Sequence, residues 1–145
     1  MNDKIKEILS KYKTIAMVGV SKDSTKTSTI VMKYMQKYGF KVISVNPNAK
    51  GEKILGEEVF AKLEDIKTPV DIVDVFRPSV EAFRYAEETV KIDAKVLWLQ
   101  LGIRSSKAQE MLESKNIAYI ENRCTKMEYQ KIFLKINPAF PALQD

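Results

Sequence analysis

Gly19-Val20-Ser21, followed by Lys22, Lys26, Thr27 and Ser28, is the stretch of this sequence whose residue types best suit binding chemistry. It separates an apolar run, residues 14–20, from a segment of helical spacing that begins near Thr27 or Ser28. Backbone N–H groups at such a junction, with the positive end of a helix dipole behind them, attract a phosphate. Ser21, Thr27 and Ser28 add hydroxyl donors, and Lys22 and Lys26 add charge. The alternative is an ordinary strand-to-helix turn with a Ser or Thr cap. The length and basicity of the loop favour the phosphate. A second candidate is Cys124, the single cysteine, between a strand and the last helix. A thiol at a helix N-terminus, beside Arg123 and Lys126, has a lowered pKa. The other reading, which isolated cysteines favour, is a small side chain packing helix on sheet. Asp71 and Asp74 resemble a carboxylate pair, but three residues apart on a strand they point to opposite faces. Asp71 is therefore placed at the strand entry, and Asp74 reads as a buried, hydrogen-bonded carboxylate nearer the ligand edge.

Absences narrow the chemistry. There is no histidine, which removes the commonest general base at neutral pH and most zinc chemistry. One cysteine allows neither an internal disulfide nor a thiolate cluster. A dinucleotide fingerprint needs three glycines after the first strand and a carboxylate ending the second. Only Gly19 is in place, and the second strand ends in Ser44-Val45-Asn46. No Gly-Lys-Ser/Thr of a P-loop occurs. No apolar run approaches the ~20 residues that cross a bilayer, and the charged start Asp3-Lys4-Ile5-Lys6-Glu7 lacks a signal-peptide core, so a cytoplasmic protein is expected. The net charge of +5 is uneven: residues 1–50 hold ten Lys against three Asp or Glu, a balance of +7. A basic first third suits a polyanionic ligand as well as a merely solvated surface. Neither a helix-turn-helix pattern nor an aromatic–basic stacking surface for nucleic acid is evident.

The elements that must position these residues follow from periodicity. Lys4–Tyr12 has the spacing of an amphipathic helix. Strands are expected at residues 14–20, 41–45, 70–76, 95–100 and 117–120. Helices are expected from about Thr27 to Gly39, through Ala86 to Lys91 with Pro78 in the first turn, over Ser105–Ser114 with Ser105 as cap, and from Thr125 to Leu134. Val59–Ile66 suggests a short helix after a turn-rich stretch. Trp98 and the Tyr34, Met35, Tyr38 set read as packing residues. The alternation implies an α/β fold in one domain, residues 1–145: a Rossmann-like, doubly wound, five-stranded parallel sheet with expected order 3-2-1-4-5. Ligands bind beyond the carboxyl ends of such strands, which brings together Gly19-Val20-Ser21, Asn46-Pro47-Asn48, Phe76-Arg77-Pro78, Gln100-Leu101-Gly102 and Glu121-Asn122-Arg123-Cys124.

With Lys26-Thr27-Ser28, the strand Val70–Arg77 and the segment Val96–Gly102, these motifs occur in an order that resembles the small single-domain CoA-binding protein family. That family is related to the CoA-binding domain of the succinyl-CoA synthetase alpha subunit. The resemblance covers roughly residues 12–132. It implies coenzyme A held at the carboxyl edge of the sheet, with Gly19, Val20 and Ser21 approaching the pyrophosphate and Lys26 and Ser28 nearby. Asn46, Pro47 and Asn48 would border the adenosine; Val75, Phe76 and Arg77 would flank the adenine; Gln100 and Gly102 would line the pantetheine path. Family members often carry Arg-Pro-Ser where this chain has Lys26-Thr27-Ser28.

Three functions stand at this point. The first is a module that binds coenzyme A or an acyl-CoA and carries no catalytic machinery of its own. The second is an enzyme acting on CoA thioesters or disulfides through Cys124. The third is a CoA-responsive redox or metabolite sensor that binds a protein or nucleic-acid partner when loaded; a homo-oligomer is the other assembly expected of the chain.

Overall fold

The computed structural model describes residues 1–138, and the end of the Pro-containing tail lies outside them. Seven strands, β1 (Thr14–Val18), β2 (Lys41–Val45), β3 (Lys53–Ile54), β4 (Glu57–Phe60), β5 (Ile72–Val75), β6 (Val96–Leu99) and β7 (Ala118–Ile120), form one sheet. Its order is β3-β4-β2-β1-β5-β6-β7, parallel throughout except where β3 pairs antiparallel with β4. Around it lie α1 (Asn2–Lys11), α2 (Thr27–Lys37), α3 (Ala82–Lys91), α4 (Ser106–Glu113) and α5 (Thr125–Tyr129), the last continued by a π-helical turn, Gln130–Leu134.

Both faces of the sheet are covered, which is why the strands are apolar without alternation. Ile15, Met17, Ile72, Val96 and Trp98 pack with Ile5, Leu9, Met32 and Met35, on the side of α1, α2 and α5. Ala16, Val18, Val73, Leu97 and Leu99 pack with Ala82, Ala86, Ala108 and Leu112 of α3 and α4. Trp98 is fully buried as expected, its indole N–H donating to Arg123 O at 2.8 Å.

Two expectations are corrected. The sheet has seven strands, not five: residues 57–60 pair with β2 (Ser44 opposite Val59, Val45 opposite Phe60) where a helix was expected over Val59–Ile66, and residues 53–54 add a short antiparallel edge to them. Only a single 3-10 turn, Leu63–Asp65, remains of that helix. The expected order 3-2-1-4-5 is also wrong for the strands to which it was given. The third of those five, β5, pairs with β1 and not with β2, so they run 2-1-3-4-5. The place beside β2 is taken by β4, whose backbone groups need that partner. Ser105 is the cap expected of it: its Oγ accepts from Ala108 N at 3.1 Å.

Candidate functional site

Strand β1 leads through α2 to β2 on one side, whereas β5 leads through α3 to β6 on the other. The order reverses between β1 and β5, and their carboxyl ends open there onto a crevice of about 360 Å³. Thr27, at the first turn of α2, lines one wall. Phe76, Arg77 and Pro78 after β5, Gln100, Leu101 and Ile103 after β6, and Cys124 before α5 line the rest. The lining is mostly apolar, and Leu101 is 42% exposed on it, an apolar side chain without a cover.

Gly19 lies at the pivot of this arrangement. Its φ is +91°, and a Cβ there would stand 2.8 Å from the Phe76 carbonyl oxygen and 3.1 Å from Arg77 Cδ. The missing side chain therefore lets the turn after β1 close against the turn after β5. A Gly19→Val protein would clash with backbone before any ligand arrived, so that variant is a poor probe of phosphate contact. Gly19 N donates to Val45 O (2.9 Å) and Ser21 N to Ser28 Oγ (3.2 Å), so two of the three amides in this turn are already engaged. Thr29 Oγ1 donates to Ser21 O. The open donors are at the start of α2. Its N-cap residue is Lys26, which places no side-chain acceptor on the helix, so the Thr27 and Ser28 amides have no intrahelical partner.

The charge of the loop is smaller than its lysines suggest. Lys22 pairs with Glu52 at 2.9 Å. Asp23 accepts from both the amide and the hydroxyl of Thr25, and these bonds hold its carboxyl below the usual range. Lys26 is exposed. Arg77 is held by Glu81 through two bonds of 3.1 and 2.8 Å.

Asn46 fastens the second strand's turn to the first: its Nδ2 donates to Val20 O at 2.9 Å while its Oδ1 accepts from Asn48 N at 2.9 Å. Val20 is buried, and Asn48 and Pro47 are exposed. Pro47 and Val45 border a second crevice of about 340 Å³ against α3, with Lys62, Arg84 and Lys91 on it. Gly102 N donates to Asn122 Oδ1 at 2.7 Å, tying the turn after β6 to the one after β7. The expected site residues thus divide. Phe76, Arg77, Gln100 and Cys124 share the main crevice, Gly19 does not line it but packs against Phe76 and Arg77, Val75 is buried in β5, and Asn46, Pro47 and Asn48 lie beyond β2.

Beneath the crevice lies a closed polar cluster. Asp74, fully buried on β5, accepts from Gln100 Nε2 at 2.6 Å and from Thr125 Oγ1 at 3.2 Å, and Gln100 Nε2 also donates to Thr125 Oγ1 at 3.1 Å. Burial pushes the Asp74 carboxyl up to about 7, against the pull of the two hydrogen bonds. The buried, hydrogen-bonded aspartate expected from the sequence is present. Thr125 was not anticipated, since nothing in a sequence links a helix-start threonine to residues 25 and 51 positions earlier.

Cys124 is buried, and burial pushes its thiol up to about 11 despite amide contacts from Met127 and Lys126. The lowered pKa expected of a helix N-terminus is reversed, because loss of water outweighs the dipole. The packing reading of this residue is the one the geometry favours. Among the described residues no group of three or more His, Cys, Asp or Glu could hold a metal ion, and no helix is long and apolar enough to cross a membrane.

Residues 13–130 match the family described as the CoA binding domain. The uncharacterized protein YneT of Bacillus subtilis (strain 168) is 40% identical over 125 residues, 86% of this chain and 91% of that protein. Among solved structures, cell-free ID.343 from Thermus thermophilus superposes with a TM-score of 0.87 at 35% identity, covering 92% of this chain and 99% of that one. A hypothetical protein from Pyrococcus horikoshii OT3 gives 0.86 at 31% identity, covering 91% and 92%.

Proposed function

This chain belongs to the CoA-binding domain family, and from that premise we propose that it binds coenzyme A or an acyl-CoA in the crevice between the carboxyl ends of β1, β5 and β6. The observation that carries the reading is the uncapped start of α2 beside an apolar crevice. Free amides of Thr27 and Ser28, with Lys26 next to them, suit a pyrophosphate. The walls formed by Phe76, Pro78, Leu101 and Ile103 suit an uncharged arm. Asn46, Pro47 and Asn48 then border the adenosine end, and Gln100 and Gly102 the pantetheine end. Cys124, held protonated by burial, serves this reading as a wall of the crevice and is a poor nucleophile.

Isothermal titration with coenzyme A, ADP and NAD is the test. Coenzyme A is expected to bind at micromolar concentration, roughly 8 kcal/mol, and the other two at least tenfold more weakly. Equal, millimolar binding of all three removes the proposal.

A further inference from the structure

The cluster of Asp74, Gln100 and Thr125 has a direction. A carboxamide offers two N–H donors on one side and a carbonyl acceptor on the other. Both protons of Gln100 Nε2 are spent inside the protein, one on Asp74 Oδ1 at 2.6 Å and one on Thr125 Oγ1 at 3.1 Å. The opposite orientation would press the carbonyl oxygen against a carboxylate oxygen. Thr125 reinforces the choice, because its own hydroxyl proton goes to Asp74 Oδ2 and its oxygen is left to accept from Gln100. Protonation of Asp74 on Oδ2 leaves Oδ1 to accept from Gln100 and reverses the Thr125 contact, the Oδ2 hydroxyl then donating to Thr125 Oγ1, which still accepts from Gln100.

Among the described residues no donor hydrogen-bonds to Gln100 Oε1, and it is not one of their sealed, unpartnered polar atoms. Yet the residue as a whole is 4% exposed and lines the crevice. Its carbonyl therefore opens on the crevice and is the one side-chain acceptor there that is fixed from below. The remaining lining is apolar side chains, the Thr27 hydroxyl, the Arg77 guanidinium and a protonated thiol.

We propose that Gln100, positioned by Asp74 and Thr125, selects ligand by presenting a hydrogen-bond acceptor to the crevice, where it receives an N–H donor of the bound molecule. This rests on the binding reading above and sharpens it. Coenzyme A carries such donors in two places, the secondary amides of its pantetheine arm and the amino group of its adenine. A ligand arm bearing only acceptors, an ester in place of an amide for example, leaves this carbonyl desolvated and unpaired.

The test is titration calorimetry on wild type, Gln100→Met and Thr125→Val, with coenzyme A and adenosine 3′,5′-bisphosphate as probes. Gln100→Met keeps the length of the side chain and removes the acceptor. It is expected to weaken coenzyme A about tenfold and to leave the bisphosphate within about twofold, which assigns the donor to a pantetheine amide. Equal losses on both probes support the acceptor and assign the donor to the adenine. Thr125→Val, which frees one side of the carboxamide, is expected to show a smaller loss in the same pattern. Undiminished coenzyme A binding by Gln100→Met overturns the acceptor while leaving the binding reading intact; no binding by wild type removes both. The side-chain amide protons of Gln100 in the free protein give a check independent of ligand. Both are expected to resist exchange with solvent, and rapid exchange of either overturns the fixed orientation even if a variant fails to fold.

Discussion

Asp74 has an electrostatic consequence for the stability of the whole fold. Its carboxyl is raised from the ordinary 3.8 to about 7 by burial, so the folded state holds the proton more tightly than the unfolded chain does. The sign follows: the contribution to stability is complete below about pH 4 and is lost as pH rises through 7. The absence of histidine leaves few other groups to titrate in that window. Urea unfolding at pH 5, 6.5 and 8 is expected to show wild-type stability declining with pH, and Asp74→Asn is expected to flatten the decline. An unchanged slope in the variant means that another group titrates. Gly19 shows how the sequence can suggest one reason for a residue while the fold supplies another. The sequence marks it as the glycine of a phosphate turn, but its missing Cβ accommodates the Phe76 backbone, 57 residues away in the chain.

Helix α2 begins on Lys26 with extended backbone at φ −77° and ψ 147°, the conformation of an N-cap, but without a side-chain acceptor. A free helix start costs stability that an N-cap serine restores. Lys26→Ser is therefore expected to stabilise the free protein by about 0.5–1 kcal/mol in urea unfolding. The same change blocks an amide and removes a charge, so coenzyme A affinity should fall roughly twofold to fivefold. A variant that gains stability and binds as tightly as before argues against the helix start as the anion site. Elements with a long apolar run or clear periodicity, such as β1, β2, α2 and α4, are legible in the sequence to within a few residues. β4 is not. Four residues, Glu57–Phe60, have too little pattern to distinguish strand from helix, and pairing with Ser44 and Val45 decides the matter.

Across the molecule, the first fifty residues carry a balance of +7: Lys26 stands exposed beside the proposed anion site, Lys22 nearby is paired with Glu52, and Lys13 and Lys41 lie at the opposite, amino ends of β1 and β2. Coenzyme A binding is accordingly expected to weaken roughly fivefold between 50 and 500 mM NaCl, as screening shortens the reach of exposed lysines. Affinity independent of salt would mean that close hydrogen bonds and apolar contact suffice. The covered faces of the sheet, the loop-to-helix junction after β1 and the clustering of polar turns at the strand ends are all written in local pattern, because burial and helix starts impose residue types on neighbouring positions. The partner of β5, the reason for Gly19, the ring that orients Gln100 and the protonated state of Cys124 are not. Each depends on groups brought together from distant parts of the chain, and on the water that their meeting excludes.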